Sequence, residues 1–364
     1  MASSTVEKSS HQSRRPLGHK GKSIRWTVKF PDGVDYVCTL YIGVQFHGGS
    51  QDTRAKAEQR VADILNEPTN RPAIIETLRV IAGNDLPGSR LWICHWTQSS
   101  DFLAKLKQLN ILSIWKGLGQ CKDSIGLWCE HFVVPLERLQ TNYSKEHYRP
   151  GLAALANVAH PSHRLTGYWG AGRDRLAASS HDLFEMPAHP TVPRITPAGY
   201  GQYLIGSSYE NMCHIRSGQR WEECDEEERE AYEDDLQKKL RKGMEYLWEN
   251  AEETGSIGLR MGQKLATDSE TPVKETSVMG FHHNWLNMEE WSSRQPTHLA
   301  IFNGSMKHSK RFGDRQKFMT WQEVAILKEG EARFEYLNCN PKTGVIRWVV
   351  LRDQPVFSLP GSKL

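Results

Sequence analysis

The chain has no long hydrophobic run, no paired-cysteine motif and no surplus of charge of either sign. None of its apolar stretches approaches the ~18 residues that a membrane span needs, which predicts a soluble protein with no membrane partner. Seven cysteines stand singly (Cys38, Cys94, Cys121, Cys129, Cys213, Cys224 and Cys339). An odd count without Cys-x-x-Cys spacing argues against a disulfide framework, a zinc ribbon or an iron–sulfur cluster. They read as reduced, mostly buried thiols. Forty-six basic against forty-three acidic side chains, a net +3, is too close to balance for a nucleic-acid partner. The phosphate-binding P-loop, the dinucleotide GxGxxG, HExxH and GxSxG are all missing.

What is present is a chain of 364 residues, 38% hydrophobic, long enough for one large domain or two fused halves. In the first half, Tyr36–Phe46 is a β-branched and aromatic run that reads as a strand. A helical stretch at 52–66, a strand at Arg90–Trp96, a helix at 101–109 and a strand at Ile125–Pro135 follow. The second half repeats the pattern: strand 211–217, a long helix 225–252, strands 256–262 and 276–282, and helix 288–308. It closes with strands at Met319–Leu327 and 333–339. The stripe Tyr232, Leu236, Leu240, Met244 and Leu247 reads as core. A β-α-β-α-β order in both halves predicts an α+β fold of duplicated ferredoxin-like units with mostly antiparallel sheet. The domain is expected to span 24–355, as halves 24–150 and 204–355. The Pro-, Gly- and His-rich 160–203 between them reads as a long functional loop.

The ends read separately. Residues 1–23 are polar, basic and Ser-rich with no apolar h-region, so they are no secretory signal. Glu7 and poor amphipathicity weigh against a transit peptide, leaving a disordered tail as the expectation. The 356–364 tail ends in Ser362-Lys363-Leu364, a receptor-read peroxisomal address. Without that signal the expectation is cytoplasmic.

Candidate functional residues are sparse. His282 and His283 are adjacent in a strand, so they point to opposite faces and cannot share a metal. His298 opens an apolar helical stretch after Pro296, which suits a first helical turn. A neutral imidazole there suits a haem iron, although a core histidine is the bland alternative. Tyr168-Trp169-Gly170-Ala171-Gly172-Arg173-Asp174-Arg175 reads either as a surface ion-pair cluster or as a fixed cation aimed at an oxygen. Arg216-Ser217-Gly218-Gln219, at a predicted strand end, reads alone as a turn cap.

Taken together, these segments resemble the haem-containing aldoxime dehydratases. The resemblance runs from Trp26 to the Val349 region. It is carried by Tyr41-Ile42-Gly43-Val44-Gln45-Phe46, Tyr168 to Arg175, Ile215 to Trp221, Pro296-Thr297-His298, Trp321-Gln322-Glu323-Val324 and Tyr336-Leu337-Asn338-Cys339-Asn340-Pro341. It implies a dimeric α+β barrel-type fold around a haem pocket, a homodimer, haem b ferrous in the active state, and a small-molecule aldoxime substrate. It also implies that His298 is the proximal ligand, that Ser217 hydrogen-bonds the aldoxime hydroxyl, and that Arg175 helps bind or polarise the same oxygen.

The match breaks at two positions. Gln322 stands where the family carries a distal histidine, its proton shuttle, and Gln140 stands where it tends to carry a glutamate. An amide donates hydrogen bonds but carries no proton near neutral pH. Three accounts follow. The chain dehydrates aldoximes with His308, His163 or a water moving the proton; it performs other N–O or N–N chemistry; or it binds haem and a ligand without turnover. Its 12 Trp, 11 Tyr and 11 Phe suit an arylalkyl pocket or an ordinary core equally.

Overall fold

The computed structural model describes residues 13–21, 23–156, 160–185, 192–267 and 269–355. A two-residue strand, β1 (Arg25–Trp26), precedes β2 (Tyr36–Phe46). Strand β2 is buried on both faces because its side chains alternate between two apolar surroundings. Cys38, Leu40, Ile42 and Val44 face outward under helices, whereas Val37 and Tyr41 enter the central core.

The first half continues with α1 (Gln51–Asn66), β3 (Ile74–Gly83), β4 (Arg90–Trp96), α2 (Ser99–Gln108), α3 (Ile111–Gly117) and β5 (Ile125–Pro135). Then come β6 (Leu139–Tyr143), β7 (Ser162–His163), α4 (Ala171–Asp174) and β8 (Tyr203–Ser207). The second half holds β9 (Met212–Arg220), α5 (Glu226–Ala231), a π-helical turn at Tyr232–Leu236, α6 (Gln237–Glu249) and α7 (Ala251–Thr254). It ends with β10 (Ser256–Leu265), β11 (Pro272–His282), α8 (Trp285–Arg294), α9 (Pro296–Phe312), β12 (Met319–Leu327), β13 (Ala332–Leu337) and β14 (Arg352–Gln354). This is an α+β fold.

All pairings are antiparallel, in one sheet ordered β14-β8-β13-β5-β2-β4-β3-β10-β11-β9-β12-β6-β1-β7. Within it, β5-β2-β4-β3 and β12-β9-β11-β10 share one connectivity, and β3 meets β10 edge to edge. Each half therefore runs β-α-β-β-α-β, which corrects the β-α-β-α-β expectation for the first half. The missed strand is β3. Its Glu76 and Arg79 make Ile-Ile-Glu-Thr-Leu-Arg-Val-Ile look like a surface segment. In the fold Glu76 instead turns inward, 2.7 Å from the Arg216 guanidinium and 2.8 Å from Lys264 Nζ.

The remaining expectations divide. The 216–219 segment is not at a strand end, because β9 runs on to Arg220 and leaves Ser217 in mid-strand. The long helix carries a π-turn, and its stripe from Tyr232 to Leu247 is buried core. The predicted 288–308 helix is two helices, since Pro296 at the first turn starts α9 afresh after Gln295. All seven cysteines are free and all but Cys121 are buried. Among the described residues no helix is long and apolar enough to cross a membrane. Residues 13–21 lie against α4 and the loop before it: Ser13 Oγ donates to Asp174 at 2.5 Å and the Arg14 amide at 3.0 Å, and His19 Nε2 lies 2.9 Å from the Thr166 carbonyl. Ser362-Lys363-Leu364 lies outside the described residues.

Candidate active site

Strand period and register assemble the site. On β12, Trp321 and Glu323 point into the central core, where the Arg216 guanidinium lies 4.7 Å over the Trp321 ring. The intervening Gln322 therefore faces outward. Its register partners are Ser217 of β9 and Asn142 of β6, and Val324 pairs with Gln140. Ser217, Gln322, Asn142 and Gln140 thus share one outer face. Apolar Ile215, Val324 and Ile326 continue that face and pack under Leu176, Trp285 and Met288. Neither Ser217 Oγ nor the Gln322 amide has a hydrogen-bond partner among the described residues, so both are free for a ligand.

Arg175 reaches this face from the loop. Gly170, at φ 100°, takes the left-handed conformation that turns the chain into α4. Arg175 Nε then donates to Gln140 Oε1 at 2.8 Å and Nη1 to the Leu165 carbonyl at 2.8 Å. The ion-pair reading of this loop does not survive. Arg173 is buried against the carbonyls of Ser179 and Asp182, while Asp174 accepts from Tyr168 Oη at 2.8 Å.

Two further groups join the face. Arg25 of β1 donates to Asn142 Oδ1 at 3.2 Å, Thr320 Oγ1 at 3.1 Å and the carbonyls of both residues. His163 is its register partner on β7. The His163 Nδ1 accepts the Leu165 amide at 3.2 Å, which places the proton of the neutral ring on Nε2. Burial first, then Arg175 and Arg25, push its pKa down to about 4. Burial, with Arg175 second, brings Arg25 down to about 9, and burial brings Arg175 to about 10.

His298 occupies the first turn of α9, its ring edge-on to Trp291 with centroids 4.5 Å apart. Trp291 belongs to the same apolar cluster as Val278, the β11 register partner of Ser217. Burial holds the His298 pKa below its ordinary value, against a smaller opposing influence of the Ser292 backbone. The ring is therefore neutral at pH 7 and offers a lone pair. Its Nδ1 is buried without a partner. His308 is elsewhere: its Nε2 lies 3.1 Å from the buried Glu228 carboxylate, among Phe312 and Phe318.

Sequence reasoning missed Arg25 and Asn142. A two-residue strand has no periodicity to read, and β6 is a short polar run, Leu-Gln-Thr-Asn-Tyr. Among the described residues no three His, Cys, Asp or Glu side chains gather as a metal site. What the chain offers is one neutral helical imidazole and one donor-rich sheet face. Such a donor set suits an iron whose other ligands come from a macrocycle.

Fold and face together describe an α+β protein with a neutral imidazole on a helix, its Nδ1 unpartnered among the described residues, and a polar outer sheet face. The model of the haem-containing dehydratase family matches residues 40–345, and the chain belongs to that family, whose cofactor is haem. It is 27% identical to the phenylacetaldoxime dehydratase of Bacillus sp. (strain OxB-1), over 96% of this chain and 99% of that one. It is 25% identical to the aliphatic aldoxime dehydratase of Rhodococcus globerulus, over 90% and 91%. The crystal structure of an aldoxime dehydratase in complex with butyraldoxime matches with a TM-score of 0.83 at 25% identity, covering 94% of each chain.

Proposed function

We propose that this protein is a haem-dependent lyase that converts an aldoxime to a nitrile and water. The observation that carries the reading is the register that sets Ser217 beside Gln322, with Arg175 held over the same face through Gln140. His298 would hold the group through an imidazole nitrogen. As ferrous haem, the group would supply electron density that weakens the N–O bond of an aldoxime. This chain's residues act on the departing oxygen. Ser217 Oγ donates to the hydroxyl, the Gln322 amide adds a second donor, and the Arg175 charge stabilises the oxygen as it leaves. In an apolar surrounding such donors outweigh their worth in water.

Proton delivery is the weak step. Gln322 carries no proton, and neutral His163 offers only a hydrogen bond from Nε2. His308 is engaged by Glu228. General acid–base help is worth about 10²–10⁴-fold, so dehydration here proceeds slowly with water as the proton carrier. Redirected N–O or N–N chemistry, or ligand binding without turnover, is the second reading, favoured by the glutamines at 322 and 140.

Two variants test the assignment. His298→Ala should lose the Soret band of the haem-loaded protein, and an unchanged band would remove His298 as ligand. Ser217→Ala should keep the band while slowing nitrile formation about tenfold or more, as expected for removing one donor to the leaving oxygen. Equal rates would exclude Ser217 from the chemistry.

We also infer, from the shared connectivity of β5-β2-β4-β3 and β12-β9-β11-β10, that the halves are copies of one ferredoxin-like unit. The resemblance to the family supports a homodimer, which light scattering of the purified protein checks. Ser362-Lys363-Leu364 supports a peroxisomal location. Deleting that tripeptide from a tagged chain should release it to the cytosol.

A further inference from the structure

Three of the four buried arginines among the described residues come with carboxylates, and the fourth, Arg173, meets carbonyls. Arg216 lies 2.7 Å from Glu76, Arg260 makes two bonds of 2.8 and 2.7 Å to Glu130, and Arg138 lies 2.6 Å from Asp182. Arg25 and Arg175 do not. Among the described residues no carboxylate oxygen lies within 4.0 Å of either. They meet only amide, hydroxyl and carbonyl oxygens.

Among the described residues, three donors beside them lack acceptors. Gln140 Nε2 and His163 Nε2 are buried without a partner. Both are donors by elimination, since Gln140 Oε1 is taken by Arg175 and His163 Nδ1 by the Leu165 amide. Arg175 Nη2 has no acceptor either. Two partly desolvated cations and three idle donors cost free energy unless acceptors complete them, and an anion does so best. The planar forks of two guanidiniums match a carboxylate in particular.

We infer that Arg25, Arg175, His163 and Gln140 form a carboxylate-accepting corner at the edge of the site face. The inference deepens the proposed function and rests on that reading for the site's occupant. The carboxylate has two sources, a propionate arm of haem or a carboxyl group carried by the substrate. In this corner Arg25 is a binding residue for the carboxylate and not a reacting group.

The test uses four probes on the full chain, followed by absorption titration: haem b, its dimethyl ester, succinic semialdehyde oxime and the corresponding amide oxime. Wild-type protein should bind one carboxylate member at least tenfold tighter than its neutral partner. Arg25→Gln should erase that preference and Arg25→Lys should restore part of it. A preference within the haem pair assigns the propionate, and one within the oxime pair assigns the substrate. Equal affinity within both wild-type pairs overturns the inference, and needs no variant to fold. Wild-type protein without any Soret band defeats the proposed function instead. The corner is then read from whether the carboxy-oxime, and not its amide, raises the Tm of the wild type.

Discussion

At the scale of the residue, the proposed chemistry turns on Gln322. Its side chain stands between Ser217 and Asn142 in register, and Asn142 is itself held by Arg25. Replacing it by histidine puts an imidazole beside two free guanidinium charges, and those charges favour the neutral ring, as they do at His163. A proton donor must be protonated to act. The gain from Gln322→His in nitrile formation should therefore be about tenfold or more, and larger at pH 6 than at pH 8. No gain at either pH would point to redirected chemistry. Ser217, Arg175 and His298 were named from the family resemblance, since each motif alone had a bland reading. The difference between His163 and His308 was not, since only the fold shows one on the face and the other locked to Glu228.

At the scale of the element, the site depends on how closely β9 and β12 approach. Gly218 pairs with Trp321, and a Cβ at 218 would overlap the indole ring. Gly218→Ala should therefore cost about 1–3 kcal/mol and push apart the strands that carry Ser217 and Gln322. Thermal unfolding would show it as a lower Tm, and an unchanged Tm would mean that the indole moves freely. Strands rich in β-branched and aromatic residues, β2, β4, β5 and β12, matched their sequence reading end to end. Strand β3 did not, because its Glu76 is a buried ion-pair partner and its Arg79 lies half-buried against Glu58. Strands β1, β6 and β7, which complete the face, are two to five residues long and too short for any period to register.

At the scale of the molecule, one local arrangement occurs twice. Gly43 pairs with Trp128 as Gly218 pairs with Trp321, and each tryptophan is followed two residues later by a buried glutamate, Glu130 and Glu323. The outward pair between them differs. In the first half it is Ile42 and Cys129, sealed with the α1–α3 side chains in an apolar cluster. In the second half it is Ser217 and Gln322, half-buried and unpartnered. The two halves thus present equivalent faces; one is apolar core and the other is polar. The α+β plan was visible in the order of strands and helices, whereas the difference between the two faces needed the register. The most direct measurement is an anaerobic absorption spectrum of the haem-loaded protein, reduced and then mixed with phenylacetaldoxime, with the products separated afterwards. The account predicts a Soret band that shifts on reduction, shifts again with the aldoxime, and is followed by nitrile. A Soret band with no nitrile would contradict the lyase, and no Soret band would contradict the site itself.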